Sequence, residues 1–390
     1  MIYAGVDIAK MDHVIGAVDE TGAEVARPMA FKNTEAGFER CIAWLESVAE
    51  SEDDVFVGME ATGHYWMACF AYLAAAGYRV CVVNPMQVHA MRRLKGLCGV
   101  KNDRIDSWLI AETLRQGDYD QTRLATDEVQ ALKRLTRYHQ GLKQELATVK
   151  TQAVCVLDAY FPEYAGLFSD MFGTASLKVL AECPTPSEAS RKRTSSIARL
   201  LSEGSHGRLG AERAAEIKSA AKSSVGIRLG EDAASFQIKT MVTQVEFLNR
   251  TIAKVEREVA SLLEKVEPNI TTVPGISTTT GAQIVAEIGD VKRFKGAASI
   301  VKYAGLNSGV DESGMFSAEG VPITKHGSPY LRRSLWLAAN RARQYDPRLK
   351  AFYDKKRREG KPHRVAVTAV ARKLCHVVYA VMRDGEPYDP

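Results

Sequence analysis

The order of strand and helix patterns in the first 118 residues constrains the fold of this chain more than any other feature. Three short β-rich runs come first, and the turn Asp-Glu-Thr-Gly at residues 19–22 separates the second run from the third. Helices and strands then alternate, which gives the order β-β-β-α-β-α-β-α. A doubly wound nucleotide-binding domain would instead begin β-α-β, and no GxGxxG sequence follows the first run.

Each run has a defined extent. The predicted strands are Ile2–Ile8, His13–Val18, Glu24–Phe31, Asp54–Glu60 and Arg79–Asn84. The predicted helices run from Thr34 to about Ala49, from Tyr65 to Ala76 and from Asp103 to about Gln116. Three meandering strands ahead of alternating helices and strands predict an α/β domain of the ribonuclease-H/RuvC-like type over residues 1–120.

Two long segments carry apolar side chains at alternating spacings of three and four residues. The positions are Leu132, Leu135, His139, Leu142, Leu146, Val149, Ala153 and Val156, and then Ile238, Met241, Val245, Leu248, Ile252, Val255, Val259, Leu262 and Val266. Each segment sustains about four heptads, which predicts a coiled-coil arm over residues 121–268 with a helical insertion at about 160–235. The periodicity is compatible with pairing within one chain or between chains.

Charge is distributed unevenly along the chain. Residues 291–383 hold 20 Lys and Arg against six Asp and Glu, a net charge of +14, whereas the whole chain carries only +5. A basic block in an otherwise acidic chain favours a polyanionic partner, and nucleic acid is the usual one. The alternative is a solvated basic face without a ligand.

The basic block belongs to a predicted, mainly α-helical C-terminal domain at residues 269–390. The turn VPGIS, with Gly275 and Ser277, precedes a helix in the manner of a helix-hairpin-helix motif, whose backbone N–H groups face a DNA phosphate. A plain interhelical turn is an equal alternative. Farther on, a run of four cations predicts a face that binds the nucleic-acid backbone without reading sequence; these are Lys355, Lys356, Arg357 and Arg358.

Four carboxylates occupy positions that the predicted N-terminal fold brings together. Asp7 lies near the end of the first strand, Glu60 ends the fourth, and Asp103 and Asp106 share one face of the closing helix. Converging carboxylates repel each other unless a cation lies among them. Oxygen ligands without His or Cys favour Mg²⁺ or Mn²⁺, and two such ions can hold a scissile phosphate. Taken singly, Asp103 is also an ordinary helix N-cap and Glu60 an ordinary surface charge.

Short motifs at both ends of the chain resemble those of the bridge-RNA-guided insertion-sequence transposases. In the first half they are GVDIAK around Asp7, MEATGHYW around Glu60, VVNP at 82–85, and KNDRIDSWLIAETLR around Asp103 and Asp106. In the second half they are VPGIS at 273–277, YAGL at 303–306, DESG at 311–314 and ITKHGSPYLRRSL at 323–335. The resemblance covers roughly residues 1–156 and 236–390. Its departures are Asn102 for Thr, Ser107 for Ala, and Ser277 for a second glycine.

This resemblance implies a RuvC-like DEDD domain that holds Mg²⁺ and a C-terminal domain that supplies a nucleophilic serine. The serine at the family's position is Ser313, and Ser308 and Ser317 are the alternatives. A covalent phosphoserine link would conserve phosphodiester energy, so that strands exchange without ATP, but the hydroxyl needs a metal ion or a base for activation. Lys325, Arg332 and Arg333 would contact phosphate or stabilise transition-state charge, or else give only non-specific DNA affinity.

The same resemblance implies the partners. They are the DNA of the element ends and of the target, together with a non-coding guide RNA encoded by the element. Strand exchange requires several protomers, so we expect a homo-oligomer, a dimer that becomes a tetramer on DNA. The active site could then combine carboxylates from one chain with the serine of another.

Two other functions stay open. A metal-dependent nuclease resembling a Holliday-junction resolvase would use the same carboxylates without Ser313. An architectural nucleic-acid-binding protein would use neither. The seven cysteines form no CxxC pair, and no run of 18 apolar residues is present, which indicates a cytoplasmic protein without a membrane span, a disulfide framework or a zinc site.

Overall fold

The structure is a computed structural model that describes residues 1–61, 63–99, 102–117, 119, 125–309, 312–313, 316–317 and 322–389. The chain divides into two compact units, Met1–Leu124 and Ala125–Pro390. The helices predicted for the arm and for the C-terminal domain thus lie in one unit.

A five-stranded sheet forms the centre of the first unit. Its strands are β1 (Ile2–Asp7), β2 (Asp12–Val18), β3 (Glu24–Lys32), β4 (Val55–Glu60) and β5 (Arg79–Val83), in the order β3-β2-β1-β4-β5. The pairs β1–β2 and β2–β3 are antiparallel, whereas β4 is parallel to both β1 and β5. This is the ribonuclease-H-like arrangement that the sequence predicts.

Four helices cover the two faces of this sheet. They are α1 (Glu35–Val48), α2 (Trp66–Ala75), α3 (Pro85–Leu94) and α4 (Asp103–Arg115). One core lies between the sheet and the helices α1 and α2, and a second core lies between the sheet and the helices α3 and α4. Successive strand residues point to opposite faces, so each strand contributes alternately to the two cores.

Helix α3 is absent from the sequence prediction, which took Pro85 only as the end of β5. The helix begins there because proline is favoured in a first turn and Asn84 caps it. The Asn84 side chain accepts a hydrogen bond from the Met86 amide at 2.9 Å, and the Gln87 side chain accepts one from the Asn84 amide at 3.1 Å. This reciprocal pair is a capping box.

Two long antiparallel helices organise the second unit. The helices of this part are α5 (Asp127–Tyr160), α6 (Thr174–Glu182), α7 (Pro186–Arg191), α8 (Thr194–Ser205), α9 (Ala211–Ser223) and α10 (Glu231–Val266). Contacts of His139 with Glu256 and of Tyr160 with Leu229 show that α5 and α10 run in opposite directions. Most of the predicted apolar seam is buried where they pack, so these two helices pair within one chain. Helices α6 to α9 form the insertion.

The rest of the second unit follows α10 in the chain, and its first helix packs against both α5 and α10. It comprises α11 (Thr278–Ile288), α12 (Ala297–Tyr303), β6 (Glu312–Ser313), β7 (Phe316–Ser317), α13 (Pro329–Tyr345), α14 (Pro347–Arg358) and α15 (His363–Asp384). Among the described helices, α15 alone is long and apolar enough to cross a membrane. It is packed against α12, α13 and α14, with Val370, Leu374 and Val378 fully buried, as a core helix is.

Candidate active site and nucleic-acid contacts

Asp7 and Glu60 end two adjacent parallel strands. They lie one step beyond Val6 and Met59, which are paired between β1 and β4. Val6 and Met59 belong to the core beneath α1 and α2. Because strand side chains alternate, Asp7 and Glu60 point to the opposite face, where α4 packs.

Helix α4 brings the other two carboxylates to the same edge of the sheet. Near its end, Arg115 Nη1 donates a hydrogen bond at 3.2 Å to the carbonyl of Glu20, in the turn beside the amino end of β1. Helix α4 therefore runs opposite to β1. Its first turn, with Asp103 and Asp106, lies towards the carboxyl end of β1, where Asp7 is located.

Gly5 sets the distance between α4 and the sheet. A β-carbon at this position would lie 2.0 Å from the Ser107 carbonyl oxygen and 2.5 Å from the Ala111 amide nitrogen. Both are backbone atoms of α4, which cannot move without the helix. Only glycine permits this close approach, and the contact occurs one residue after Asp106.

Asp106 already has a cationic partner. Its carboxylate is buried and accepts a hydrogen bond from Nη2 of Arg92, on α3. Asp103 is exposed. Among the described residues, no three His, Cys, Asp or Glu side chains converge as a group of metal ligands would. The backbone thus brings the four carboxylates to one edge of the sheet. Their side chains do not converge on one point in the described structure, and the Arg92 guanidinium lies beside Asp106.

The donor set nevertheless fits a divalent cation. All four side chains are carboxylates, the hard oxygen ligands that Mg²⁺ and Mn²⁺ prefer. Arg92 already supplies positive charge beside Asp106, so a cation bound there would compete with the guanidinium. Coordination of a metal by these residues stays a prediction.

A second cluster of ion pairs connects the C-terminal end of α3 with α4. The Glu112 side chain, 1% exposed, accepts hydrogen bonds from Arg115 at 2.6 and 2.7 Å and from Lys95 at 2.7 Å. The bonds from Arg115, with those from Lys95 and Gln116, lower the pKa of Glu112 to about 2. Sequence reasoning missed both Arg92 and Lys95, because it missed α3.

In the second unit, Ser313 lies on a hairpin rather than in an open loop. Ser313 pairs with Phe316 across β6 and β7. At the base, the Gly309 amide donates to the Pro322 carbonyl at 3.1 Å and the Thr324 amide to the Asn307 carbonyl at 2.9 Å. Asp311 and Gly314 of the DESG motif, and the side chains of Ser313 and Ser317, lie outside the described part of the chain.

Two arginines brace the base of this hairpin. Arg332 Nη1 donates to the carbonyls of Ala304 and Lys325, at 3.1 and 3.2 Å. Arg372 donates from Nε to the Leu306 carbonyl at 2.6 Å and from Nη2 to the Ser308 hydroxyl at 2.9 Å. The alternative serine, Ser308, is therefore an anchored part of the base, and Arg332 positions the backbone.

The remaining predicted contacts divide into exposed and packed residues. Lys325 and Arg333 are exposed, and Lys325 has a left-handed backbone with φ 55°. By contrast, the turn at Gly275 packs on α13, since a β-carbon there would lie 2.3 Å from the Ala342 amide nitrogen. Ser277 caps α11. These contacts are those of a turn that packs one helix against another.

Only some of the basic side chains of the run on α14 form ion pairs or hydrogen bonds. Lys356 forms an ion pair with Glu359 at 2.7 Å, and Arg357 donates to the Lys361 carbonyl at 2.7 Å. Lys355 and Arg358 are exposed. The run thus presents cations on the surface, and binding of a nucleic-acid backbone by them stays a prediction. Sequence reasoning did not select the cations Lys361, Arg364 and Arg372 in and before α15, because neither a motif nor a charge run marks them.

Comparison with known families shows which proteins this chain resembles. A transposase model of the IS110 DEDD type matches residues 4–162, and the model for transposases of the IS116/IS110/IS902 family matches residues 267–354. Together they match more than half of the chain. The chain belongs to the IS116/IS110/IS902 transposase family.

Relatives of this IS110-type transposase align with it from end to end. The IS900 uncharacterized 42 kDa protein of Mycobacterium paratuberculosis is 26% identical over 100% of this chain and 97% of its own length. The IS110 uncharacterized 43.6 kDa protein of Streptomyces coelicolor is 24% identical over 100% and 95%. The pilin gene-inverting protein of Moraxella bovis is 22% identical over 99% and 97%.

Two solved structures also align with part of the transposase. The Thermus thermophilus RuvC structure covers 31% of this chain and 100% of its own, at 21% identity and a TM-score of 0.23. The same protein in complex with a Holliday junction substrate covers 31% and 99%, at 18% identity and a TM-score of 0.24.

Proposed function

We propose that this transposase cleaves and exchanges DNA strands in a reaction that depends on Mg²⁺ or Mn²⁺ and passes through a covalent phosphoserine. One observation carries the metal-dependent part. Asp7 and Glu60 stand side by side at the carboxyl ends of β1 and β4, and the first turn of α4 brings Asp103 and Asp106 to the same edge.

The four carboxylates would hold the cation, which when bound would neutralise charge on a scissile phosphate and lower the pKa of an attacking hydroxyl. Ser313 Oγ attacks phosphorus and loses its proton, and the bond to one sugar oxygen breaks and releases a DNA hydroxyl. A second DNA hydroxyl then attacks the serine phosphate, which restores the Ser313 hydroxyl and forms the new phosphodiester. The number of phosphoester bonds is unchanged, so no external energy source is needed.

Two relatives support recombination as the outcome. The Moraxella relative is named for inverting a pilin gene, and a Streptomyces coelicolor relative is a mini-circle putative transposase for IS117. We therefore propose element ends and target DNA as substrates. A non-coding RNA encoded by the element as guide, and a dimer that becomes a tetramer on DNA, complete the proposal.

A covalent-adduct assay tests the serine and the carboxylates together. Purified protein, Mg²⁺, labelled element-end DNA and RNA from the element's flank are incubated and separated on a denaturing gel. We expect a DNA-linked protein band that is lost in Ser313→Ala and Asp7→Ala but kept in Ser308→Ala and Ser317→Ala. The last two variants alter other serines of the same hairpin and its base.

Three other results would contradict this reaction. Cleavage without an adduct, unchanged in Ser313→Ala, would indicate a hydrolytic nuclease. An adduct lost only in Ser308→Ala or Ser317→Ala would move the nucleophile. Retention of DNA binding without any Mg²⁺-dependent cleavage would indicate an architectural protein.

A further inference from the structure

Two adjoining cavities open beside the base of the hairpin that carries Ser313. The first has a volume of about 730 Å³ and lies between the hairpin base and the start of α15. The second has a volume of about 420 Å³ and extends towards the start of α13. Ile323, Arg364 and Thr368 line both, so the two cavities adjoin each other. Volumes of this order are typical of ligand sites.

The lining of the cavities is cationic. It contains six basic side chains: Lys325, Arg332, Arg333, Lys361, Arg364 and Arg372. None of the described residues that line either cavity is Asp or Glu. Clustered cations without a counter-charge repel each other, and a bound anion relieves that repulsion.

The six cations divide by what they already bind. Arg332 and Arg372 donate to backbone carbonyls at the hairpin base. By contrast, the side chains of Lys325, Arg333, Lys361 and Arg364 form no hydrogen bond or ion pair with any described residue. Two cations therefore shape the cavity, and the other four remain available for an anion.

Apolar surface lies among these cations. Pro362 and Val365 line the first cavity, and Trp336, which is half-buried, lines the second. Proteins that bind single-stranded nucleic acid combine a basic groove for the backbone with aromatic surfaces for the bases. A DNA duplex is instead contacted by protruding elements, such as a helix in the major groove. A concave site of this size therefore fits one strand.

We propose that these two cavities bind a single nucleic-acid strand. Arg333, Lys361 and Arg364 contact successive phosphates of its phosphodiester backbone, and Trp336 contacts a base. The inference deepens the proposed function and rests on it for its purpose, since strand exchange requires unpaired strands near Ser313. The binding chemistry itself depends on neither Ser313 nor the carboxylates.

Binding of short oligonucleotides to the full-length protein tests the cavities directly. Fluorescence anisotropy is measured with labelled oligo-dT, oligo-rU and a hairpin duplex, each over a series of KCl concentrations. Lys361→Gln/Arg364→Gln removes two cavity cations. The matched control, Lys355→Gln/Arg358→Gln, removes two exposed cations of α14, outside the cavity lining.

We expect the cavity variant to bind the single strands about tenfold more weakly. The slope of log K against log [KCl] should become shallower by about 1.4, since each of two lost phosphate contacts on a single strand contributes about 0.7. Its affinity for the duplex should change less. The control variant should lose affinity for single strands and for duplex to similar extents. A larger loss for oligo-dT identifies the strand as DNA, and a larger loss for oligo-rU identifies it as RNA.

The proposal would be overturned if the cavity variant bound single strands and duplex with equally reduced affinity, or if its affinity for both were unchanged. A second measurement locates the strand: ultraviolet cross-linking of a 4-thiothymidine oligonucleotide should label the peptides that contain Trp336 or Val365. Labelling confined to α14 would also overturn it. Because these assays involve no cleavage, they still report on the cavities if the adduct assay fails.

Discussion

Arg92 on α3 donates a hydrogen bond from Nη2 to Oδ1 of Asp106, in the first turn of α4. The two side chains are 17% and 10% exposed, so water screens the pair only weakly. The same carboxylate belongs to the set that we propose for the metal. A cation bound by this set would therefore compete with the Arg92 guanidinium for Asp106.

Arg92→Gln should make the protein less stable without metal and more responsive to metal. Removal of the guanidinium leaves the Asp106 carboxylate buried without its partner, which costs about 1–3 kcal/mol. A bound cation then replaces the missing charge. We expect a lower Tm in EDTA, a larger rise in Tm on adding Mg²⁺ or Mn²⁺ than in the wild type, and tighter Mn²⁺ binding by calorimetry.

The control for Arg92 is the next residue on the same helix. Arg93 is exposed, so Arg93→Gln makes the same change of charge away from Asp106. It should leave both Tm and Mn²⁺ affinity near wild type. Weaker Mn²⁺ binding in Arg92→Gln would show that Arg92 supports the site rather than competing for it.

Gly5→Ala should displace α4 and so move Asp103 and Asp106 away from Asp7 and Glu60. The new β-carbon would lie 2.0 Å from the Ser107 carbonyl oxygen, so α4 must move away from β1. Overpacking of this kind costs about 1–3 kcal/mol. We expect a lower Tm together with loss of Mg²⁺-dependent cleavage.

A glycine with open space around it provides the comparison. Gly141 lies within α5, and a β-carbon there would meet no atom within 4 Å. Gly141→Ala should stabilise the protein by up to about 1 kcal/mol, because alanine favours the helix, and it should keep cleavage intact. Wild-type cleavage by Gly5→Ala would mean that the position of α4 is not critical.

The sequence predicts the parts of the fold that local patterns determine. Strands β1 to β5 follow from apolar runs bounded by turns, and α1 follows from the cap at Thr34, which accepts a hydrogen bond from the Gly37 amide at 3.2 Å. The 3–4 spacing predicts α5 and α10, but it does not specify their partner. Their pairing within the chain depends on contacts such as His139 with Glu256, 117 residues apart, which no local pattern contains.

The site is predictable to a similar degree. Asp7 and Glu60 can be selected because strand order determines which strand ends share an edge, and Asp103 and Asp106 because they share one face of the closing helix. Arg92 cannot, since its contact with Asp106 joins two helices whose packing angle is a tertiary property. The cavity cations Lys361 and Arg364 are likewise ordinary residues of a basic helix until the hairpin base is placed beside them.

Glu112→Gln should destabilise the protein at neutral pH and lose that effect in acid. Its folded pKa of about 2 lies below the ordinary value of 4.5. The stabilisation is therefore complete above pH 4.5 and is lost as the pH falls towards 2. It amounts to about 3 kcal/mol. Urea denaturation at several pH values should show wild type and variant converging between pH 4.5 and 2.

A surface carboxylate provides the control for Glu112. Glu39 is exposed on α1, so Glu39→Gln should change the free energy of unfolding by less than about 0.5 kcal/mol at pH 7. If the difference between wild type and Glu112→Gln is the same at pH 7 and at pH 3, the loss reflects packing rather than the ionised carboxylate.

The last prediction concerns a buried carboxylate that connects α5, α11 and α13. Glu287 is 1% exposed and accepts two hydrogen bonds from Arg137, at 2.7 and 3.0 Å, and one from the Ser328 hydroxyl at 2.9 Å. Ser328 caps α13. Arg137 is 42% exposed, so water partly screens the pair, but Arg137→Ala leaves the buried Glu287 carboxylate without its main partner, which we expect to cost about 1–3 kcal/mol. Arg134→Ala, one turn earlier on the same helix, should cost less than about 0.5 kcal/mol.

The double variant distinguishes an ion pair from independent packing. If Arg137 and Glu287 stabilise the unit mainly through each other, Arg137→Ala/Glu287→Leu should be less destabilised than Arg137→Ala alone, because the uncompensated buried charge is gone. Additive losses in a urea-denaturation double-mutant cycle would contradict this coupling. Since Ser328 begins α13 directly after the hairpin base, Glu287→Leu should also increase hydrogen exchange at the Leu331 amide, which donates to Ser328 Oγ at 3.2 Å.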